Sequence, residues 1–286
     1  MTAALAGGLL LALASAAALN WSYFVQHGVA SALPPLTLRR PLASLRLLFG
    51  DLRWLAGFVV GIGGWVLYVA ALAFAPLSLV QAASAGGIGL LALLASRHTR
   101  LTGLERRGVA VAVAGLALLG ISLAGLTTTA TAGDWSAVAA WIGVSGVVAA
   151  IAASRRSAAG LGIAAGVLYG AGDVATKAAV HGGARLGFVP VLLACHGLAF
   201  VALQLGFQRG GVLATAGLAT LFTNALPIAA GTTLFGEGLG SLPAVRVLAF
   251  ACTVAGAALL ARPGEAEPAP ARPVALPAAA RPIPFD

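Results

Sequence analysis

The sequence predicts an all-α polytopic membrane protein, with about nine transmembrane helices in two inverted repeats that are joined by a linking fifth span. The chain is 60% hydrophobic and only 9% charged, with a mean hydropathy of +0.98. A soluble domain carries roughly 25% charged residues. Apolar stretches recur from end to end, and each is long enough to cross a hydrocarbon core of about 30 Å. Arginines lie between these stretches, and related motifs recur in the two halves of the chain.

The hydrophobic stretches predict nine spans, at residues 4–26, 54–75, 77–96, 108–126, 136–153, 159–180, 188–207, 212–235 and 244–261. Spans one to four form the first repeat (1–126), span five links the halves (127–157), and spans six to nine form the second repeat (158–262). Residues 263–286 hold seven of the fourteen prolines. Because proline cannot continue a helix, this segment is predicted to be a disordered cytoplasmic tail.

The distribution of arginine predicts the orientation in the membrane. With nine alternating spans, fourteen arginines fall on one side, and only Arg185 and Arg246 fall on the other. The positive-inside rule makes the arginine-rich side cytoplasmic, which puts the N-terminus outside and the C-terminus inside. The net charge of +9 is therefore interpreted as a topology signal, and nucleic-acid binding is not predicted.

The first span and the loop after it raise two further points. Residues 14–16 (Ala-Ser-Ala) resemble a signal-peptide cleavage site, but no lysine or arginine precedes them, which favours a retained helix. Segment 31–53 is basic and contains leucines at helical spacing. These leucines are predicted to form the apolar face of an interfacial helix: Leu38, Leu42, Leu45 and Leu48.

An internal repeat relates the two halves. The run VAGLALL at Val113–Leu119 in span four matches VAGAALL at Val254–Leu260 in span nine, and a glutamate precedes each, Glu105 and Glu237. Spans one to four then correspond to spans six to nine. Because an odd number of crossings separates them, the halves have opposite orientations. Secondary transporters often use this plan, with the substrate site near the repeat interface.

Three runs resemble a known family: LPIAAGTTLFGEGLG at Leu226–Gly240, WLAGFVVGIGGWVLYVAALAFAPLSLVQ at Trp54–Gln81, and LYGAGDVATKAAV at Leu168–Val180. They are similar to helices of the drug/metabolite transporter (DMT) superfamily with its EamA-like repeats. The second run resembles the NIPA-like branch, which is associated with magnesium transport. That branch has a Gly-Glu pair in its second span, where this chain has Gly64 and Trp65. The resemblance implies a secondary transporter.

Span six contains an acid and a base within an apolar stretch. Lys177, the only lysine of the chain, follows Asp173 by four residues. A charge at bilayer depth costs about 2.5–3.5 kcal/mol on insertion scales and by default marks a functional site. Gly162, Gly166 and Gly170 share this helical face and allow close helix approach. We predict that the pair lines a polar cavity, for substrate binding or proton coupling. The alternative is that Lys177 extends to the outer interface.

Span one carries a matching polar face. Asn20, Tyr23 and His27 lie on one side of the predicted helix, and a shift of 150 positions aligns Tyr23 with Asp173 and His27 with Lys177. The family resemblance implies the same match, because the family has a basic position late in this helix. These five residues predict a site between spans one and six. An interfacial position of His27 near the cytoplasmic end is the alternative.

Spans seven and eight add two candidates, His196 and Asn224. His196 is interpreted either as a hydrogen-bonded packing residue or as a proton carrier, because the pKa of histidine is ordinarily near neutrality. Asn224 precedes Pro227, which removes a helical hydrogen bond and leaves a carbonyl free. Asn224 is therefore predicted either to satisfy this break or to contact substrate.

Together these features predict a secondary transporter that moves a small solute across a cell (plasma) membrane by alternating access. Two alternatives stay open: a NIPA-like divalent-cation transporter, and a non-transporting subunit that helps a membrane complex assemble. The sequence has no nucleotide-binding loop and no intramembrane protease motif, so no enzyme, cofactor, catalytic residue or resident metal site is predicted. The expected partners are the bilayer and a small-molecule or ion substrate, with a homodimer as a further option.

Overall fold

The fold is taken from a computed structural model that describes residues 3–37, 39–75, 77–84, 86–97, 100–122, 131–237 and 242–262. Within these ranges the chain forms helices and turns and no strands, which confirms the all-α prediction. Eight helices of this part are long and apolar enough to cross a membrane, close to the nine predicted. The predicted tail, 263–286, lies outside the described residues.

The helices of the first half are α1 (Ala3–Ala30), α2 (Pro41–Phe49), α3 (Leu52–Phe74), α4 (Leu77–Ser84), α5 (Gly87–Ser96) and α6 (Gly103–Ser122). Those of the second half are α7 (Trp135–Ser154), α8 (Ala158–Val180), α9 (Val189–Phe207), α10 (Leu218–Leu234) and α11 (Pro243–Ala261). A 3₁₀ turn, Gly183–Phe188, leads into α9, and a π-helical turn, Leu213–Gly217, leads into α10.

The predicted third span, 77–96, contains α4, which reaches Ser84, and α5, which begins at Gly87. Leu79–Ser96 counts as one of the eight candidate spans. Gly87 lies against the Asn20 side chain of α1, where any Cβ would collide. Glycine at position 87 therefore permits close contact between α1 and α5.

Helix α6 begins earlier than the predicted fourth span, 108–126. Thr102 and Glu105 form a capping box: the Thr102 N–H donates to Glu105 Oε2 at 2.8 Å, and the Glu105 N–H donates to Thr102 Oγ1 at 3.2 Å. The first turns of α6 consequently contain Glu105, Arg106 and Arg107. These charges explain why α6 is not counted among the eight helices that are long and apolar enough to cross a membrane.

The packing of the helices relates the two halves. Helix α1 packs along α3 and α8 packs along α9, which are corresponding pairs under the predicted repeat. Helix α6 packs along α11, and α10 contacts both α4 and α8. The inverted orientation of the halves and the domain boundaries stay predictions.

Helix α8 has the highest share of buried residues, together with α10. Its glycines allow this position. A Cβ at Gly162 would lie 2.5 Å from the Thr215 carbonyl oxygen, and a Cβ at Gly166 would lie 2.5 Å from that of Ala219. The glycine face of span six is therefore the face on which α10 approaches α8.

Helix α2 occupies the basic segment that was predicted to hold an interfacial helix. Leu42 is 76% exposed and Leu45 is half-exposed, whereas Leu48 is buried in a cluster with Trp54. Leu38 lies outside the described residues. One side of α2 thus packs on the protein, and apolar side chains remain on the other.

Candidate functional site

A cavity of about 410 Å³ lies between the two halves of the chain. Its walls come from α1, α2, α3 and α4 of the first half and from α8, α9 and α10 of the second. Five residues that the sequence predicted as site residues line it: Asn20, Tyr23, Asp173, His196 and Asn224. The remaining two, His27 and Lys177, are not among the lining residues.

His27 lies at the end of α1, away from the cavity. Its Nε2 atom is 3.2 Å from the Gly210 carbonyl oxygen, and its ring packs edge-on against Phe207 with centroids 5.3 Å apart. His27 therefore joins the end of α1 to the end of α9. The predicted site between spans one and six does not include it in this arrangement.

Lys177 lies one turn beyond Asp173 on α8 and is buried, with 6% of its surface exposed. Within the described part of the chain no ion pair joins it to Asp173. Its electrostatic partner is Glu237, just after α10, whose Oε1 accepts the Leu77 N–H at 2.7 Å. Lys177 is thus enclosed by protein, one turn beyond the cavity residue Asp173 on α8.

Asp173 is the acidic centre of the cavity. Its Oδ2 atom accepts a hydrogen bond from Gln81 Nε2 at 2.9 Å, and the same amide nitrogen donates to the Tyr68 hydroxyl at 2.8 Å. His196 Nε2 lies 3.6 Å from Asp173 Oδ1, which is an ion-pair distance. This cluster draws on α3, α4, α8 and α9, so it ties the two halves together.

Sequence reasoning missed Tyr68 and Gln81. Neither residue is among the site residues that the sequence predicts. The available signal was the amide of Gln81 itself, an uncharged polar group deep in an apolar span. Buried polar groups need partners, so such an amide indicates a polar neighbour such as Asp173.

The His196 ring is held from several sides. Its Nδ1 atom is 2.8 Å from the Leu192 carbonyl oxygen of the preceding turn. The rings of Trp65 and Tyr169 pack edge-on against it, each with a centroid distance of 5.6 Å. Gly172 faces the ring, and a Cβ at that position would collide with it. The approach of His196 to Asp173 thus depends on a glycine one residue earlier on α8.

Asn224 does not satisfy the break at Pro227. Its Nδ2 atom donates to the Thr220 carbonyl at 2.7 Å, one turn earlier, while the proline would free the carbonyl of residue 223. Thr220 Oγ1 in turn donates to Asn20 Oδ1 at 3.2 Å and so connects α10 to α1. Asn224 Oδ1 has no hydrogen-bond partner among the described residues. This arrangement favours the alternative in which Asn224 contacts a ligand.

A second series of side-chain hydrogen bonds ends at the wall of the cavity. Trp54 Nε1 donates to Gln204 Oε1 at 3.1 Å, and Gln204 Nε2 donates to Gln26 Oε1 at 2.5 Å. Gln26 Nε2 then donates to Ser22 Oγ at 2.7 Å. This series connects α3, α9 and α1 and fixes the amide of Gln26 at the cavity wall.

Three lining residues carry buried polar atoms without a hydrogen-bond partner in the described part of the structure: Ser15 Oγ, Trp65 Nε1 and Asn224 Oδ1. More than nine in ten buried polar groups in proteins have a partner, which is often an ordered water. These three atoms can therefore bind water or the polar groups of a ligand in the cavity. Over the described residues, no group of three or more His, Cys, Asp or Glu is arranged to hold a metal ion.

The chain is similar to a plant protein described as "Probable magnesium transporter NIPA9", from Arabidopsis thaliana. The two sequences are 25% identical over 271 residues, which span 83% of this chain and 76% of the plant protein. No family model matches the chain, and no solved structure gives a significant match. The comparison confirms the predicted resemblance to the NIPA-like branch of the DMT group, and it supports a role in transport across a membrane.

Proposed function

We propose that this protein is a secondary transporter that moves a small polar solute through the cavity between its two halves. The observation that carries the proposal is the cavity itself. It has an acidic centre at Asp173, several buried polar atoms without partners, and walls from both halves of the chain. Such a location between repeats is where secondary transporters bind their substrates.

Asp173 and the amides around the cavity are the binding groups in this proposal. Asp173 supplies a negative charge, and Gln81 holds its carboxylate in place. Asn20, Asn224 and Tyr23 supply hydrogen-bonding groups from the opposite walls. Aromatic walls add apolar contact, so the site suits a solute with a cationic or hydrogen-bond-donating end and an apolar body.

Alternating access follows from the origin of the walls. Helices α1, α3 and α4 belong to one half, and α8, α9 and α10 belong to the other. Rocking of one half against the other would open the cavity to one side of the membrane and then to the other. His27 and Lys177 are not among the residues that line the cavity, and we propose that they act on this motion rather than on binding.

Divalent-cation transport is the second candidate, and the similarity to a probable magnesium transporter favours it. The residues of the cavity fit it less well. Mg²⁺ prefers oxygen ligands, usually one or two carboxylates together with retained waters. Asp173 is the only carboxylate among the lining residues, and histidine, indole and aromatic groups surround it.

The experiment is a flux assay on the purified chain in liposomes, with a panel of organic cations, amines, amino acids and MgCl₂. We expect saturable flux of an organic solute that Asp173→Asn abolishes, while Arg155→Gln, on the exposed loop after α7, leaves it unchanged. Saturable Mg²⁺ flux alone would favour the cation transporter. Absence of any flux from folded protein that co-purifies with a partner would favour the assembly-subunit alternative.

A further inference from the structure

The contact between His196 and Asp173 constrains where the protons of this pair lie. A carbonyl oxygen only accepts hydrogen bonds, so the 2.8 Å contact of Nδ1 with the Leu192 carbonyl requires a proton on Nδ1. A neutral imidazole carries one proton, and its second nitrogen is then an acceptor. In the neutral ring, Nε2 therefore presents a lone pair to Asp173 Oδ1 at 3.6 Å.

An ionised Asp173 facing this neutral ring would leave two electron-rich atoms opposed in a buried site. One additional proton removes the conflict, either on Nε2 or on Oδ1. In the first case an imidazolium faces a carboxylate, and in the second a carboxylic acid donates to the ring. At 3.6 Å the two atoms are at ion-pair distance, so one added proton on either atom removes the repulsion and stabilises the pair.

The proton is not expected on Asp173 Oδ2, because that atom already accepts a hydrogen bond. Gln81 Nε2 donates to it at 2.9 Å, and the second hydrogen of the same amide goes to the Tyr68 hydroxyl at 2.8 Å. The carboxyl group is therefore held with Oδ1 towards His196. Both members of the pair line the cavity, so the proton can exchange with water or solute there.

The other ionisable groups around the pair are few. Tyr23 of α1, Tyr68 of α3 and Tyr169 of α8 interact electrostatically with the acid. Lys177 lies one turn later on α8 and interacts with Glu237 rather than with the pair. Helices α7 and α10 carry no charged side chain. His196 is therefore the basic group closest to Asp173 in the described structure.

We propose that Asp173 and His196 together hold one exchangeable proton, and that this pair couples proton movement to the transport proposed above. This inference rests on the proposed function for its role in transport, but the pair can be tested independently. A proton taken from water on one side binds between Nε2 and Oδ1. When the halves rock, Asp173 and His196 stay together in the second half, but Asp173 loses its contact with Gln81 of the first half, and the pair releases the proton to water on the other side.

The pair is tested by ¹⁵N NMR of histidine-labelled protein in nanodiscs. The chain has only four histidines, so His196→Gln assigns the resonances of His196. We expect a protonated Nδ1 in the wild type, and an Nε2 resonance that shifts in Asp173→Asn while those of His27 and His181 do not. A bare Nδ1, or an Nε2 resonance unaffected by Asp173→Asn, would overturn the proposal.

Gly172→Ala provides a second route if Asp173→Asn does not fold. It leaves both ionisable groups in place but pushes the ring, because a Cβ at position 172 would collide with it. The Nε2 resonance of His196 should then move in the same direction as in Asp173→Asn. An unchanged resonance in a folded Gly172→Ala protein would contradict the shared proton.

Coupling is tested with liposomes that contain the pH dye pyranine and receive whichever panel compound gives flux. The wild type should change the internal pH as the compound moves, and Asp173→Asn and His196→Gln should lose this change. Flux without any pH change would overturn the coupling role. A panel without flux would instead contradict the proposed function, and the NMR result on the pair would still stand.

Discussion

At the scale of residues, the cavity is organised by Asp173 and by the groups that hold it. Sequence reasoning found Asp173, because an acid in an apolar span is conspicuous. It assigned Lys177 as the partner, because i, i+4 spacing is the only relation that one helix reveals. The structure instead has His196 as the nearest base, from another helix. Such a contact between helices depends on tertiary packing, which a single sequence does not specify.

Removal of the Gln81 amide should impair function more than folding. Gln81→Met keeps the side-chain volume but removes the two hydrogen bonds that the amide donates, to Asp173 Oδ2 and to the Tyr68 hydroxyl. An unsatisfied buried group costs about 1–3 kcal/mol. We expect a moderately lower melting temperature and a flux reduced by at least about tenfold, because the carboxylate is no longer held in one orientation.

Gln208→Met is the matched control, since Gln208 also bonds several backbone groups but lies outside the cavity. It should lower stability by a similar amount and keep the affinity for solute. Equal loss of flux in both variants would show that stability, and not the orientation of Asp173, explains the effect of Gln81→Met.

Lys177→Met tests the group that lies just beyond the cavity. Because Lys177 does not line the cavity and interacts with Glu237, we expect the affinity for solute to stay within about twofold of wild type. The maximal flux should fall, since the electrostatic attraction between Lys177 of α8 and Glu237, just after α10, is lost. A large loss of affinity with an unchanged maximal rate would instead return Lys177 to the binding site.

At the scale of elements, glycine placement determines how closely the central helices pack. Glycines at four-residue spacing in span six predicted an interface, and α10 occupies that interface. The contact of Gly87 with the Asn20 side chain was not predicted, because it joins two helices that are distant in the sequence.

Gly166→Val should destabilise the protein strongly. Its Cβ would lie 2.5 Å from the Ala219 carbonyl oxygen and 2.8 Å from the Phe222 Cβ, so α10 must move away from α8. Overpacking of this kind costs about 1–3 kcal/mol or more. The measurement is thermal unfolding in detergent, and we expect a clearly lower midpoint.

Gly143→Val, on α7, provides the comparison. Nothing lies within 4 Å of a Cβ at Gly143, so this change should leave the midpoint within about a degree of wild type. A similar loss in both variants would mean that the valine substitution itself, rather than contact with α10, causes the destabilisation.

At the scale of the whole molecule, the sequence predicts the class of protein well because hydropathy and arginine placement are repeated over many spans. The all-α fold is confirmed, and the number of spans is close. The position of the cavity between the halves was expected from the predicted repeat. Only some of the residues that line the cavity were predicted. The hydroxyl and amide side chains that complete the lining belong to common residue types without a distinctive spacing in the sequence.

The arginine distribution also makes a prediction about orientation that labelling can test. In a cysteine-free background, Ala184→Cys on the turn before α9 should react with a membrane-impermeant maleimide in intact cells. Arg155→Cys after α7 should react only after permeabilisation. Both positions are exposed, so access depends on the side of the membrane. The opposite pattern would invert the proposed topology.

The central claim is that solute crosses the membrane through the cavity around Asp173. Liposome flux of the organic panel and MgCl₂, in wild type and Asp173→Asn proteins of equal folded content, tests it most directly. We expect saturable flux of at least one organic solute in the wild type and its loss in Asp173→Asn. Undiminished flux of that solute in Asp173→Asn would contradict it.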